Sequence, residues 1–324
     1  MRSALASIVG VGVGVGLLLG EVAAADPAPK AKDGLVEHSR LEVAPGGRPI
    51  KQLTVENPLG DVKIEGYDGQ SILIETRKQA PDEDALDRLR VSLIPNPDGT
   101  VRIMTTADGG KEVRPLARGA VRIDLIIRAP RDARIDAAAS AGSLEVVNMD
   151  AGGDLDTASG PISVRNVAGS VSTHSLSGAT SLTQVFGSVD AQTLTSDLDL
   201  DTIGGERLIA SASHGKIAGR RVRSRDIELT TVDGKIVLEA EASLRGRITI
   251  ASLRGDVDVK LRRRGVVVVR ARGAKLNLGS SMASAKAAKD GWVEGQLGGF
   301  KPSAQASIVE LRSRYGMVQF AVIE

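Results

Sequence analysis

The chain of 324 residues contains no cysteine. That excludes a disulfide framework, a thiol nucleophile and any metal centre built on thiolates, so packing and backbone hydrogen bonds must hold the fold. Aromatic residues are nearly as scarce, being limited to Trp292, Tyr67, Tyr315, Phe186, Phe300 and Phe320. A narrow interior of Val, Ile, Leu and Ala accounts for that scarcity better than a broad globular core, which leans on large rings. The only histidines are His38, His174 and His214, and they form no paired-His zinc motif. No Gly-x-Ser-x-Gly elbow occurs, and the lysines after Gly215 and Gly234 lack the following Ser or Thr of a phosphate loop. The sequence thus nominates no catalytic residue, no cofactor-binding residue, no cofactor and no metal ligand set, and the protein is expected not to be an enzyme.

Long apolar runs are also missing, except at the start. Met1-Arg2, the apolar segment from Ala4 to Leu19 and Ala23-Ala24-Ala25 before Asp26 form the pattern of a secretory signal peptide, residues 1–25. Glu21 closes the apolar run, which is short for a membrane span of about 20 residues. The alternating Gly10 to Gly16 run lacks the strand and helix that a dinucleotide-binding loop needs. The expectation is an exported protein, in the periplasm or at the cell surface, with no transmembrane span after cleavage.

What the chain has in place of these is a rhythm. An aliphatic residue, a short turn, a small residue and an alternating aliphatic strand recur, with markers Gly142, Gly160, Gly178, Ser196, Gly215, Gly234, Gly255 and Gly273. Their spacings are 18, 18, 18, 19, 19, 21 and 18 residues. A fixed period of this size marks a repeat architecture whose units bury a core only by stacking. Within each unit aliphatics alternate with polar residues, as in Leu144-Glu145-Val146 and Val257-Asp258-Val259, so the aliphatics face inward. The predicted fold is all-β: a right-handed parallel β-solenoid, β-helix-like, with rungs of 18–21 residues and an irregular N-terminal β cap, its hand being the general one for parallel crossovers.

The organisation follows. Residues 26–50 are a linker, Pro-rich from Asp26 to Lys32, and an incoming strand. Residues 51–130 form the N-terminal β cap, with one short helix where Pro81-Asp82-Glu83-Asp84 precedes Ala85, Leu86 and Leu89. Residues 131–280 are the regular solenoid, and residues 281–324 are a loop around Trp292 and closing C-terminal strands.

The runs Val121 to Pro130, Ile135 to Val146 and Leu155 to Val164, with Val55 to Ile64 as an early unit, show a strand ending in Pro followed by serial "aliphatic-x-Thr, Gly-x-Ile-x-Val" units. This resembles the bacterial DUF4097 family of "putative adhesins" over roughly residues 50 to 324. The resemblance implies an extracytoplasmic right-handed β-solenoid without established catalytic residues. The Arg-rich later rungs and Ser196-Asp197 in place of the usual Gly depart from the pattern.

Charge is polarised along the repeat. Residues 132 to 201 hold ten acidic and two basic residues, and residues 201 to 275 hold seventeen basic and nine acidic. The basic set includes Arg220, Arg221, Arg223 and Arg225, then Arg245 and Arg247, then Arg262, Arg263 and Arg264. All follow marker residues, so they are expected to form a stripe down one edge, suited to phosphate or carboxylate groups. An anionic envelope polymer or a protein partner fits such a stripe. Nucleic acid does not, given the export signal and the lack of interleaved aromatics. The alternative is that Arg keeps the edges soluble. Asp197, Asp199 and Asp201 share one strand face, about 6 to 7 Å apart, too widely spaced for a single calcium ion unless a bulge or Asp154 and Asp156 assist.

The function expected from the sequence is a non-catalytic, adhesin-like scaffold or binding surface of the cell envelope. The alternatives are a carbohydrate-active β-helix enzyme, a lyase or hydrolase, and a self-assembling filament, self-association being open to halves of opposite charge.

Overall fold

The computed structural model describes residues 34–44, 48–107, 121–298 and 305–323. The expected signal peptide and linker at residues 1–32 lie outside the described residues. The fold is all-β, with one short helix and two 3-10 turns. The helix, Glu83–Asp87, begins where Asp82 accepts a 2.8 Å hydrogen bond from the Ala85 amide. Among the described residues no helix is long and apolar enough to cross a membrane.

The strands form two parallel stacks. In the first, Arg134–Ala139, Gly153–Thr157, Val171–Ser175 and Val189–Thr193 lie in order, followed by the later halves of Leu198–His214 and Ile217–Asp233 and by Arg247–Ser252. In the second, Leu144–Met149, Ile162–Ala168 and Thr180–Phe186 lead into the earlier halves of the same two long strands, then Ile236–Glu241 and Val257–Arg262. The chain passes from first stack to second through the marker turn and back through a corner.

Register makes each stack a set of rows. Leu53, Ile135, Gly153, Val171, Val189, Leu208, Ile227, Ile248 and Val309 follow one another, and the aliphatic members are buried. Burying each large aliphatic contributes roughly 1.5–3 kcal/mol, and the row repeats that gain at every layer. Phe320 is the one fully buried ring among the described aromatics, which fits the narrow interior.

The marker glycines form a row of their own, and backbone crowding is the reason. A Cβ on Gly160, Gly178 or Gly255 would strike the carbonyl oxygen of Gly142, Gly160 or Gly234 in the adjacent layer. A hydroxyl three residues earlier caps the turn: Ser175 Oγ accepts from the Gly178 amide at 2.8 Å, and Ser252 Oγ from Gly255 at 2.8 Å. Left-handed backbone falls at the opposite corner, on Asn148, Asn166, Gln184, Thr202 and Arg221. There Asn166 Nδ2 donates to Asn148 Oδ1 at 2.7 Å, tying layer to layer.

At both ends the order in space departs from the order in sequence. Val62 pairs with Leu144, 82 residues later, while Arg122–Pro130 lies on the far side of Val62–Tyr67. At the other end Ser307–Ser313 sits between Arg247–Ser252 and Val267–Arg272, and Met317–Ile323 sits between Val257–Arg262 and Lys275–Asn277. Gly255 therefore neighbours Gly316, so the even 18-residue step from Gly255 to Gly273 does not join adjacent layers. Antiparallel strands cover the outer layers: Leu35–Val43 on Ile72–Ala80, Leu89–Pro95 on Thr100–Ala107, and Val293–Leu297 on Val267–Arg272.

Candidate functional site

The arginines singled out in the sequence lie in three successive passages of the chain out of the second stack. Arg220 stands at the end of the second-stack half of Ile217–Asp233, paired in register with Asp201. Arg221, Arg223 and Arg225 follow in the same strand, which bends at Arg221, where φ is 51°. Arg245 and Arg247 precede and open Arg247–Ser252. Arg262 ends Val257–Arg262, and Arg263 and Arg264 follow it.

Acidic residues meet many of these cations. Arg220 Nη2 lies 2.9 Å from the Asp199 carboxylate, and Arg221 pairs with Asp201 and donates to Thr202 Oγ1 at 3.0 Å. Glu241, its side chain only 11% exposed, receives Arg223 at 3.1 Å and also Arg264. Arg225 reaches Glu206 at 3.4 Å. Arg245, Arg247 and Arg263 have no ion pair among the described residues, the Arg263 guanidinium lying against Gly298. The edge is thus a lattice of exposed ion pairs with three additional cations.

The acidic strand face resolves in the same way. Asp199 and Asp201 are committed to arginines of the next layer, and Asp197 accepts from the Lys216 amide at 2.8 Å. Asp154 holds Arg134 at 2.6 Å, and Asp156 lies 3.4 Å from His174 Nδ1. Among the described residues no group of three or more His, Asp or Glu is placed to hold a metal ion.

Two larger clefts differ in charge. One, of about 680 Å³ near the N-terminal end, is lined by both signs, with Arg40 on Glu75 at 2.6 Å, Arg77 on Asp124 at 3.5 Å and Lys63 on Glu145 at 3.7 Å. The other, of about 710 Å³, lies at the inserted C-terminal strand and is lined by Arg272, Arg312, Arg314, Trp292, Thr230 and Ser252, with no carboxylate in its lining. Those residues were not nominated from the sequence. Arg272 and Arg312 are 40 residues apart, and only the insertion of Ser307–Ser313 makes them neighbours. The local signal that existed was the single tryptophan in a break of the repeat.

No protein-family model matches the chain, and no curated protein does. Among solved structures, a protein of Parabacteroides distasonis described as a "putative lipid binding protein" is similar at 12% identity and TM-score 0.42, covering 87% of this chain and 97% of its own. A "putative adhesin" of the same organism is similar at 10% identity and TM-score 0.42, covering 89% and 98%. A "putative adhesin" of Bacteroides fragilis is similar at 12% identity and TM-score 0.38, covering 88% and 97%.

Proposed function

We propose that the protein is a non-catalytic, adhesin-like binding scaffold of the cell envelope, a right-handed β-solenoid that presents its arginine-bearing edge to an anionic envelope component. The observation that carries this reading is the collection of nine arginines on successive layers, three of them without an ion pair among the described residues. Guanidinium groups held at layer spacing, about 4.8 Å, offer repeated bidentate contacts to phosphate or carboxylate groups. Each contact is weak when exposed and screened, so affinity accumulates along the edge and falls with salt. The signal-peptide pattern at residues 1–25 supports placement outside the cytoplasm.

The test is a pull-down of residues 26–324 with purified envelope fractions and acidic polysaccharides at low and moderate salt, with soluble products assayed in the same tubes. Salt-sensitive retention without product supports the reading. A variant carrying Arg262→Ser, Arg263→Ser and Arg264→Ser should fold and bind less. Unchanged retention of that variant removes the edge from the mechanism, and product release replaces the scaffold by a carbohydrate-active enzyme.

A further inference from the structure

Opposite charges face each other across most layers of this protein, and one place breaks the habit. Arg270 pairs in register with Glu310 and also reaches Glu294 at 3.4 Å. Two residues further along the same strands, Arg272 pairs in register with Arg312. Like charges directly opposite one another on adjacent strands are destabilising, and here neither arginine has an ion pair among the described residues. On the far side of Arg312 the register partner is Ala251, a small residue that leaves a notch, and beyond it Thr230. Arg314 closes the same cleft, its guanidinium 5.2 Å from the Tyr315 ring centroid.

The fourth wall is Trp292. Pairing of Val293 with Ala271 in an antiparallel ladder sets Trp292 beside Arg272. The ring is half-buried and is held by Arg270, whose guanidinium carbon lies 5.3 Å from the ring centroid. Gly291, at φ 74°, lets the chain turn at this point, with the Arg272 Nε close to where a Cβ would be. A fixed flat ring, uncompensated guanidinium groups and hydroxyls from Thr230 and Ser252 thus face one cleft of about 710 Å³, large enough for a small ligand.

We propose that this cleft is a binding site for a saccharide unit carrying phosphate or carboxylate, the anion bridging Arg272 and Arg312 and the C–H face of the sugar ring lying on Trp292. An anion between the two guanidinium groups turns a repulsive pair into two charge-assisted contacts. Aromatic rings supply the apolar platform at little entropic cost, and the hydroxyls supply orientation. None of the nine edge arginines lines the cleft, so the site stands independently of the edge.

Trp292 is the chain's single tryptophan, so its fluorescence reports on this cleft alone. The experiment titrates residues 26–324 with glucose 1-phosphate, digalacturonate, glucose and inorganic phosphate, followed by fluorescence and, in parallel, by calorimetry. The expected result is a saturable emission change with glucose 1-phosphate or digalacturonate at concentrations at least about tenfold below those needed for glucose or phosphate. Arg272→Ala and Arg312→Ala should each weaken that binding on the order of tenfold to a hundredfold, the usual loss for a charge-assisted contact. Both should raise rather than lower thermal stability, because each removes a like-charge pair. Trp292→Ala, read by calorimetry, should weaken sugar-phosphate binding while leaving phosphate binding unchanged. The edge variant with Ser at positions 262 to 264 should bind as the parent does, which separates failure of this site from failure of the edge. No saturable response to any probe, phosphate binding as tightly as the sugar phosphate, or undiminished binding by both arginine variants would each overturn the assignment.

Discussion

Neutralising the carboxylates that hold the edge arginines should strengthen binding to an anionic surface. Asp199 and Asp201 engage Arg220 and Arg221, and Glu241 engages Arg223 and Arg264. The triple substitution Asp199→Asn, Asp201→Asn and Glu241→Gln takes the formal net charge from +2 to +5 and releases four guanidinium groups. A cation near an anionic membrane surface contributes about 1 kcal/mol, so three added charges correspond to about 3 kcal/mol, roughly a hundredfold in affinity at low salt. The gain should shrink steeply between 0.1 and 1 M salt as the Debye length falls from about 10 Å to about 3 Å. The stability cost is small, since exposed pairs are worth about 0–1 kcal/mol each and Gln at position 241 still accepts hydrogen bonds. Co-sedimentation with vesicles containing one-third anionic lipid, with and without added salt, measures the effect, and circular dichroism checks the fold. Affinity unchanged or reduced in a folded triple variant would refute the edge as a binding face, because removing competitors for the guanidinium groups could then bring nothing.

Four smaller perturbations test the fold. Thr173 is fully buried in an otherwise apolar row, and its hydroxyl has no hydrogen-bond partner among the described residues; Thr173→Val should raise stability by about 1–2 kcal/mol in urea unfolding. Asn57, also fully buried, donates to Ile123 O at 2.8 Å and accepts from Thr105 Oγ1 at 2.6 Å, so Asn57→Leu should cost about 3 kcal/mol, with hydrogen exchange accelerating first in residues 48–107. Gly178→Ala drives a Cβ into the Gly160 carbonyl and should destabilise by about 1–3 kcal/mol, whereas Gly204→Ala meets only the Phe186 ring, at 3.3 Å, and should be nearly neutral. The Asp98 carboxyl sits below its ordinary value of 3.8 because it accepts from the Thr100 amide. Its stabilising contribution is therefore present above the ordinary carboxylate range and is lost as pH falls through the lowered value, and an NMR titration should place its midpoint below 3.8.

The rows were legible because the repeat is written in adjacent sequence. Inward aliphatics, the marker positions and the layer-to-layer step from Gly142 to Gly255 all follow from period two inside a strand and a constant length between strands. Ion pairing was not legible, because it depends on which outward residue lies over which: Arg220 meets Asp199 and Arg221 meets Asp201 only once a 19-residue offset is fixed to the residue. A glycine read as either conformational or steric could also be resolved only in three dimensions, where backbone contact at Gly178 decides for sterics and non-glycine residues such as Asn166 take the left-handed corner. The cleft at Trp292 was hidden most deeply, since nothing local to Arg272 or Arg312 announces that they will be neighbours.

Strand insertion at the C-terminal end makes that site, and simple magnitudes show why it is stable. Pairing Ile248 with Val309 spans 61 residues, where neighbouring layers elsewhere are about 20 apart. Loop-closure entropy grows only logarithmically, so the longer span costs about 1 kcal/mol more. Against this, Val309, Leu311, Val318 and Phe320 are fully buried, a gain of roughly 1.5–3 kcal/mol each. Burial wins by several-fold, and the inserted strands hold Val267–Arg272 and Lys275–Asn277 in place, because both pair with Ser307–Ser313 or Met317–Ile323 rather than with the preceding layer. A chain ending at residue 304 should therefore keep exchange protection in residues 134–233, since stacked layers depend mainly on their neighbours, and lose it across residues 265–298. Unaltered protection of residues 265–298 in the shortened chain would mean that the Gly255 to Gly273 spacing can close on itself, and that the insertion serves the cleft rather than the stability of the end.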